Sequence, residues 1–333
     1  MYAILKLSQE ERRTIFRNTA QKMSVHEAIV EKDYWTCLVL DYLFHKNKFC
    51  KSLTFKGGTS LSKCFSLIKR FSEDIDLILD WRVLGYEKDA PWQDRSKSKQ
   101  DAYNKEANIR AECFIAEQLL PSVRIGISGI IDENAELVIE ESDLQTVSFY
   151  YPRLFSTDSI LPSIRLEIGA LAAWTPSVKR VVTPYIYEYY PQISQEISSL
   201  IVTSSAERTF WEKVTILHHE ANRPEASDMP TRYSRHYYDL FCIAKSEHKS
   251  TALEQLDLLQ KVVEFKMKFY PRTWAKYDEA VPGSIKLVPP DFRLSTLRRD
   301  YHRMEEMLFG EYPSFDEMMG AIKSLEEEIN FRL

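Results

Sequence analysis

No apolar run in this 333-residue chain approaches the roughly 18 residues needed to span a bilayer. The N-terminal stretch MYAILKLSQEERR leads directly into a charged segment with no signal-peptide apolar region. Together these absences predict a cytoplasmic protein with no membrane partner. Cysteine is scarce: Cys37, Cys50, Cys64, Cys113 and Cys242 are odd in number and dispersed, with no C-x-x-C among them. That pattern excludes a disulfide framework and a thiolate zinc site, and reads as reduced core thiols. H-E-x-x-H is missing, and His218 and His219, being adjacent, face different ways on a helix. His236, beside Arg235, reads more readily as a structural histidine than as a substrate contact. An excess of positive charge is lacking too. A formal net charge of −5 argues against non-specific coating of nucleic acid, without excluding RNA held by a local basic patch. Candidates for such a patch are Lys46, Lys48 and Lys51; Lys63, Lys69 and Arg70; Lys179 and Arg180; and Arg298, Arg299 and Arg303. The competing reading of each cluster is solvated surface charge, and none interleaves with enough aromatics for a base-stacking platform.

Hydrophobic content of 44% and charged content of 28% are ordinary for a globular protein, and the length suits two compact domains or one large one, each with a core of its own. Residues 8–22 and 24–45 read as helices, the second opening with Ser24 and Glu27 in capping-box spacing. Leu53-Thr54-Phe55 is strand-like, 59–69 helical, and 73–80 a strand; 81–105 is a polar loop leading to a helix near 103–120. Strand-like runs follow at 122–130, 136–141, 145–151 and 160–171. From about 205 the period becomes helical: 205–220, 234–247, 250–268, 293–309 and 314–331. The change of period predicts an α+β domain over 1–200, with a mixed β-sheet and flanking helices. A helical domain over 201–333 would supply one wall of a cleft, and the boundary falls within 190–204.

The chemistry concentrates in FKGGTSLSK at 55–63 and RFSEDIDLIL at 70–79. Side chains alternate along a strand, so Asp74 and Asp76 project together while Ile75 and Leu77 point the other way. Two like charges on one face call for a cation. Hard oxygen ligands without His or Cys suit Mg²⁺ better than Zn²⁺. A Gly-Gly turn at a helix start lets main-chain N–H groups approach phosphate, and the helix dipole favours the anion. Phosphate cradle and metal carboxylates together indicate nucleotide chemistry.

The order Gly-Gly-Thr-Ser, helix, Ser-Glu-Asp-Ile-Asp resembles the signature of the DNA polymerase β-like nucleotidyltransferase fold, specifically the AbiEii/AbiGii toxin family of type IV toxin–antitoxin and phage-defence systems. IVEKDYW at 29–35, RLEIGA at 165–170, ERTFWEK at 207–213 and SRHYYDLF at 234–241 resemble that family's other blocks, in the same order. The chain departs from the wider superfamily at Gly58, where Ser is common, and in a longer interval to Asp74. The resemblance implies transfer of a nucleoside monophosphate from a nucleoside triphosphate to the acceptor end of tRNA, and an antitoxin encoded nearby.

Such transfer activates an acceptor hydroxyl and neutralises a pyrophosphate, which two metal ions bridged by carboxylates accomplish. A third acid is therefore expected. Glu167 shares a strand face with Arg165 and fits that role, a salt bridge to a neighbouring strand being the alternative. Lys56, Gly57, Gly58, Thr59 and Ser60 form the expected phosphate-binding turn, with the two hydroxyls donating to phosphate oxygens. Lys56 and Lys63 read more readily as surface residues. Lys213, among Phe210, Trp211 and Val214, must snorkel or pair with a buried acid. The resemblance puts it on the triphosphate, with Asp239 as its partner or as a further acid; the alternative is an ion pair that docks two helices. Lys32, Asp33 and Trp35 read as scaffolding with a possible contact to the glycine turn. Nucleotide transfer to a protein or small molecule, and an inactive nucleotide-binding module, remain open as rivals, although a binding module has no need of three clustered acids.

Overall fold

The computed structural model describes residues 1–131, 135–157, 160–171, 176–193 and 199–332. Two compact units emerge, one of Met1–Cys64 with Phe71–Ser204, the other of Phe65–Arg70 with Ser205–Leu333. Within the interval expected to hold the boundary, 194–198 lies outside the described residues.

The first unit opens with helices α1 (Gln9–Met23) and α2 (Glu27–His45). Ser8 and Glu11 form a capping box at the start of α1, satisfying donors that the helix leaves open. The capping box expected of Ser24 and Glu27 does not form: Ser24 closes α1 in a left-handed conformation, and His26 caps α2 by accepting the Ala28 N–H. Every residue from Ala28 to Leu40 of α2 is buried, so the helix runs through the core rather than along the surface.

Strand β1 (Leu53–Lys56) passes directly into α3 (Gly57–Lys63), and β2 (Asp74–Leu79) follows. The helix expected to 69 stops at Lys63 because 65–70 leaves this unit. Helix α4 (Lys97–Phe114) continues through a single π-turn into α5 (Leu120–Ser128), where a strand was expected at 122–130. Leu120, Val123 and Ile127 explain the difference, since they bury one helical face at spacings of three and four. Pro121 lies inside this continuous helix, directly after the π-turn, where its missing N–H removes one intrahelical hydrogen bond.

Strands β3 (Glu136–Glu140), β4 (Asp143–Tyr150), β5 (Ile164–Gly169) and β6 (Ser177–Val182), helix α6 (Ile186–Tyr189) and β7 (Ser199–Ser204) complete the unit. The seven strands lie in the order β3-β4-β5-β2-β1-β7-β6. The sheet is mixed: β2 runs parallel to β5, and β1 to β7, while the other neighbours are antiparallel. The unit's α+β class matches the sequence-based expectation. Phe55, Ile75 and Leu77 are fully buried, and Leu166 and Ile168 nearly so; each such side chain stabilises the sheet by about 1.5–3 kcal/mol.

The second unit is helical: α7 (Ala206–Ala221), α8 (Ser234–Ala244), α9 (His248–Glu254), α10 (Leu256–Phe269), α11 (Asp291–Met304) and α12 (Phe315–Asn330). The single helix expected over 250–268 is broken at Gln255, whose φ −108° and ψ 59° lie outside the helical region. Trp211 of α7 is fully buried and donates its indole N–H to the Ala252 carbonyl, tying α7 to α9. The 65–70 segment joins this unit through an isolated bridge between Arg70 and Leu308 and a hydrogen bond from the Lys69 N–H to the Tyr238 hydroxyl. No helix among the described residues is long and apolar enough to cross a membrane.

Candidate nucleotidyl-transfer site

The alternation of β2 leaves Ile75 and Leu77 fully buried and Asp74 and Asp76 half-exposed on the opposite face. Strand register places Lys56 of β1 beside Asp76, and Asp76 beside Glu167 of β5; one step away, Asp74 lies beside Arg165. Lys56, Asp76 and Glu167 thus form a charged row across three neighbouring strands. All three acids expected from the sequence share this face.

Gly57 closes the row. Its φ of 80° is a left-handed conformation that other residues seldom adopt, and a Cβ there would lie 1.9 Å from the Asp76 Oδ2. Glycine is therefore required twice, by backbone conformation and by the approach of a carboxylate. Gly58 is buried behind it. The hydroxyls expected to reach phosphate are engaged internally: Thr59 donates to the Asp74 carbonyl at 2.5 Å, and Ser60 to the Gly57 carbonyl at 2.8 Å. Thr59 thereby couples the glycine turn to the strand carrying the acids.

Arg165, on the same strand face as Glu167, ties the acids together: its Nη1 lies 3.2 Å from the Glu167 Oε1 and 4.0 Å from the Asp74 Oδ1. That Asp74 oxygen is buried and accepts no hydrogen bond. Among the described residues no group of three or more His, Cys, Asp or Glu draws together as a metal-binding cluster. The donor set nevertheless suits a hard divalent ion, with three carboxylates on one face and one carboxylate oxygen lacking a hydrogen bond.

In the helical unit, Lys213 and Asp239 meet. The Asp239 carboxylate is fully buried and accepts from Arg70 Nε at 2.7 Å, Arg70 Nη2 at 2.9 Å and Lys213 Nζ at 2.8 Å. Lys213 also lies 3.0 Å from His236 Nδ1. Burial opposes ionisation of Asp239, but the two cations outweigh it and hold the carboxyl well below its usual range. For Lys213, burial pushes the pKa down against the pull of Asp239. His236 is driven well below the ordinary imidazole value by burial and by Lys213 and Arg235, so it sits neutral against the ammonium. Arg70 alone would satisfy Asp239 through its bidentate fork; with Lys213 added, two cations share one carboxylate.

Two basic residues expected at the surface are consumed inside the protein. Lys63, with a side chain only 5% exposed, pairs with Asp33 at 2.6 Å, and Arg70 is held by Asp239. Arg298 pairs with Asp316 at the surface. Exposed Lys69, Lys179, Arg180, Arg299 and Arg303 remain on the outside of their units. Among the histidines, His218 bridges the Lys276 carbonyl and the Lys286 N–H, and His219 stacks on Trp274 at 4.4 Å; both are structural. Glu207 accepts from His248 Nδ1 at 2.6 Å.

The family model described as "Nucleotidyl transferase AbiEii toxin, Type IV TA system" matches residues 40–321. Among solved structures, the chain is similar to MenT4, a nucleotidyltransferase toxin from Mycobacterium tuberculosis H37Rv, with a TM-score of 0.52 at 14% identity over 96% of this chain and 90% of that one. At that identity the likeness concerns the fold. Among curated protein sequences none matches.

Proposed function

The chain belongs to the AbiEii family of nucleotidyltransferase toxins, and on that premise we propose that it is a Mg²⁺-dependent enzyme transferring a nucleoside monophosphate from a nucleoside triphosphate to the acceptor end of tRNA. The observation that carries the reading is the row of Lys56, Asp76 and Glu167 with Gly57 pressed against Asp76. It sets a glycine turn beside acids that share one sheet face. In the reaction an acceptor hydroxyl oxygen bonds to the α-phosphorus, the bond from that phosphorus to the bridging oxygen breaks, pyrophosphate leaves with that bond's electron pair, and the hydroxyl proton passes to solvent.

Asp74, Asp76 and Glu167 would hold the metal, which when bound supplies charge neutralisation at the phosphates and acidifies the attacking hydroxyl. The Gly57 and Gly58 main chain gives close approach to phosphate oxygens, and Lys56 adds a cation on the same row. Lys213 is assigned to the triphosphate, because two cations on one buried carboxylate leave positive charge that an anion can complete. Asp239 and Arg70 fix its position. The family's toxin–antitoxin context implies a cognate antitoxin as partner, and the reaction is assigned to the cytoplasm.

A second reading, transfer to a protein or a small molecule, gains support from the internal commitment of Lys63 and Arg70, which removes two cations from any RNA-binding surface. Incubating the protein with α-labelled triphosphates and Mg²⁺, together with total RNA or total protein, separates the two. Label in RNA supports the first reading, and label confined to protein overturns tRNA as acceptor.

A further inference from the structure

Three consecutive residues in the middle of α2, Glu31, Lys32 and Asp33, are 0%, 0% and 3% exposed. Successive helical residues point about 100° apart, so three buried charges in a row must reach three different neighbours. Glu31 accepts the N–H groups of Leu154 and Phe155, at 2.7 and 2.9 Å. Lys32 Nζ donates to Glu73 Oε2 at 2.9 Å and to the Leu161 carbonyl at 3.1 Å, and the same Glu73 oxygen accepts the Leu161 N–H at 2.9 Å. Asp33 accepts from Lys63 Nζ at 2.6 Å and from the Tyr185 N–H at 2.7 Å.

The targets are placed next to the chemistry. Glu73 immediately precedes Asp74, the first residue of β2, and Leu161 lies three residues before Ile164, the first residue of β5. These are the two parallel strands whose register sets Asp76 beside Glu167. Lys63 ends α3, which begins at Gly57. A single helix therefore grips the entrances of both acid-bearing strands with one side chain, and the far end of the glycine-turn helix with the next. Register matters here because a one-residue slip between strands turns every side chain to the other face.

We propose that Lys32 and Asp33 are positioning residues that divide the site between them: Lys32, through Glu73 and Leu161, sets the Asp74, Asp76 and Glu167 carboxylates, and Asp33, through Lys63, sets the glycine turn. The proposal rests on the nucleotidyltransferase reading for what the two halves bind, while its geometry stands on the buried ion pairs. Neither residue touches substrate.

Two affinities and one exchange rate test it on the full chain: Mn²⁺ binding by electron paramagnetic resonance, binding of a non-hydrolysable nucleoside triphosphate analogue, and amide hydrogen exchange. Lys32→Met should weaken Mn²⁺ binding by about 10-fold or more, the scale on which outer-shell partners act, and leave the metal-free affinity for the analogue within about 2-fold. Asp33→Asn should do the reverse. In Lys32→Met, exchange should quicken at residues 74–77 and 164–167 and stay as in wild type over α7–α12. A general loss of stability would move both affinities together. Should Lys32→Met fold poorly, the double variant Lys32→Met/Glu73→Gln restores charge balance in the core. It should fold and still bind Mn²⁺ weakly, with fast exchange at both strand entrances. Wild-type exchange at 74–77 and 164–167 in the folded single or double variant overturns the proposal, as does a parallel loss of both affinities in Lys32→Met and Asp33→Asn. If wild type binds neither Mn²⁺ nor the analogue, the nucleotidyltransferase reading fails, and the exchange data still decide the positioning claim.

Discussion

Replacing either member of the Lys213–Asp239 pair separates a catalytic lysine from a mere helix-docking ion pair, because the two substitutions leave different charges behind. Asp239→Asn keeps the shape but strands the Arg70 guanidinium and the Lys213 ammonium, both hydrogen-bonded to that carboxylate at 2.7–2.9 Å. Removing one partner of a buried pair costs about 3–5 kcal/mol, a large part of the roughly 5–15 kcal/mol that keeps a domain folded. Lys213→Met leaves Arg70 and Asp239 matched one to one. It forfeits the ammonium's two hydrogen bonds, to Asp239 and to His236, worth about 1.5–3 kcal/mol each, but also relieves the desolvation of an ammonium whose side chain is only 8% exposed, so a net loss of about 1–2 kcal/mol is expected. Urea unfolding followed by circular dichroism gives the two stabilities, and transfer of labelled nucleotide gives the activities. The account expects Lys213→Met to fold almost as well as wild type and lose about 100-fold or more in transfer, the scale for a lost charge-stabilising donor. If Lys213→Met is as unstable as Asp239→Asn and its folded fraction transfers normally, the lysine only docks α7 to α8.

Asp74→Ala and Asp76→Ala should each abolish transfer while leaving metal-free thermal stability unchanged or slightly higher, since each removes like-charge repulsion on one sheet face; near-normal activity in either would remove the metal assignment. Gly57→Ala meets both a φ of 80° and a clash with Asp76, so it should cost about 1–3 kcal/mol and lower transfer further than stability alone explains, as thermal melts beside activity would show. His218, His219 and His236 are all pushed below the usual imidazole pKa, first by burial, His219 to about 3. The unfolded chain then binds protons below about pH 6.5 that the folded one refuses. Their stabilising contribution is therefore complete above that pH and lost as pH falls toward the folded values. Glu31, raised to about 7 by burial, works the other way over the same window, so the test is the difference between two proteins: His219→Gln should gain melting temperature relative to wild type as pH falls from 7 to 5.5, and a constant difference contradicts these shifts.

Those parts of the fold set by local pattern were legible in the sequence, and those set by distant partners were not. The Asp74-Ile75-Asp76-Leu77 alternation gave β2 and the shared face of the acids, and RLEIG gave β5, because a half-buried strand writes its phase directly into residue type. The strand expected at 122–130 failed since a short apolar run satisfies both periods, and burial of Leu120, Val123 and Ile127 decided for helix. The helix expected to 69 failed for a non-local reason: Arg70 is fixed by a carboxylate 169 positions away. Lys63 and Arg70 looked like surface cations because sequence does not show the buried acids that neutralise them. Strands β6 and β7 were missed, and β6 carries exposed Lys179 and Arg180 with little apolar alternation.

The most direct test incubates the purified protein with α-labelled nucleoside triphosphates, Mg²⁺ and total tRNA, then follows label into the RNA for wild type and for Asp76→Ala. The account predicts label on the tRNA from wild type, lost on chelation of the metal and absent with Asp76→Ala. Equal labelling by wild type and Asp76→Ala would contradict it, as would a folded wild-type protein that leaves the tRNA unlabelled with every triphosphate.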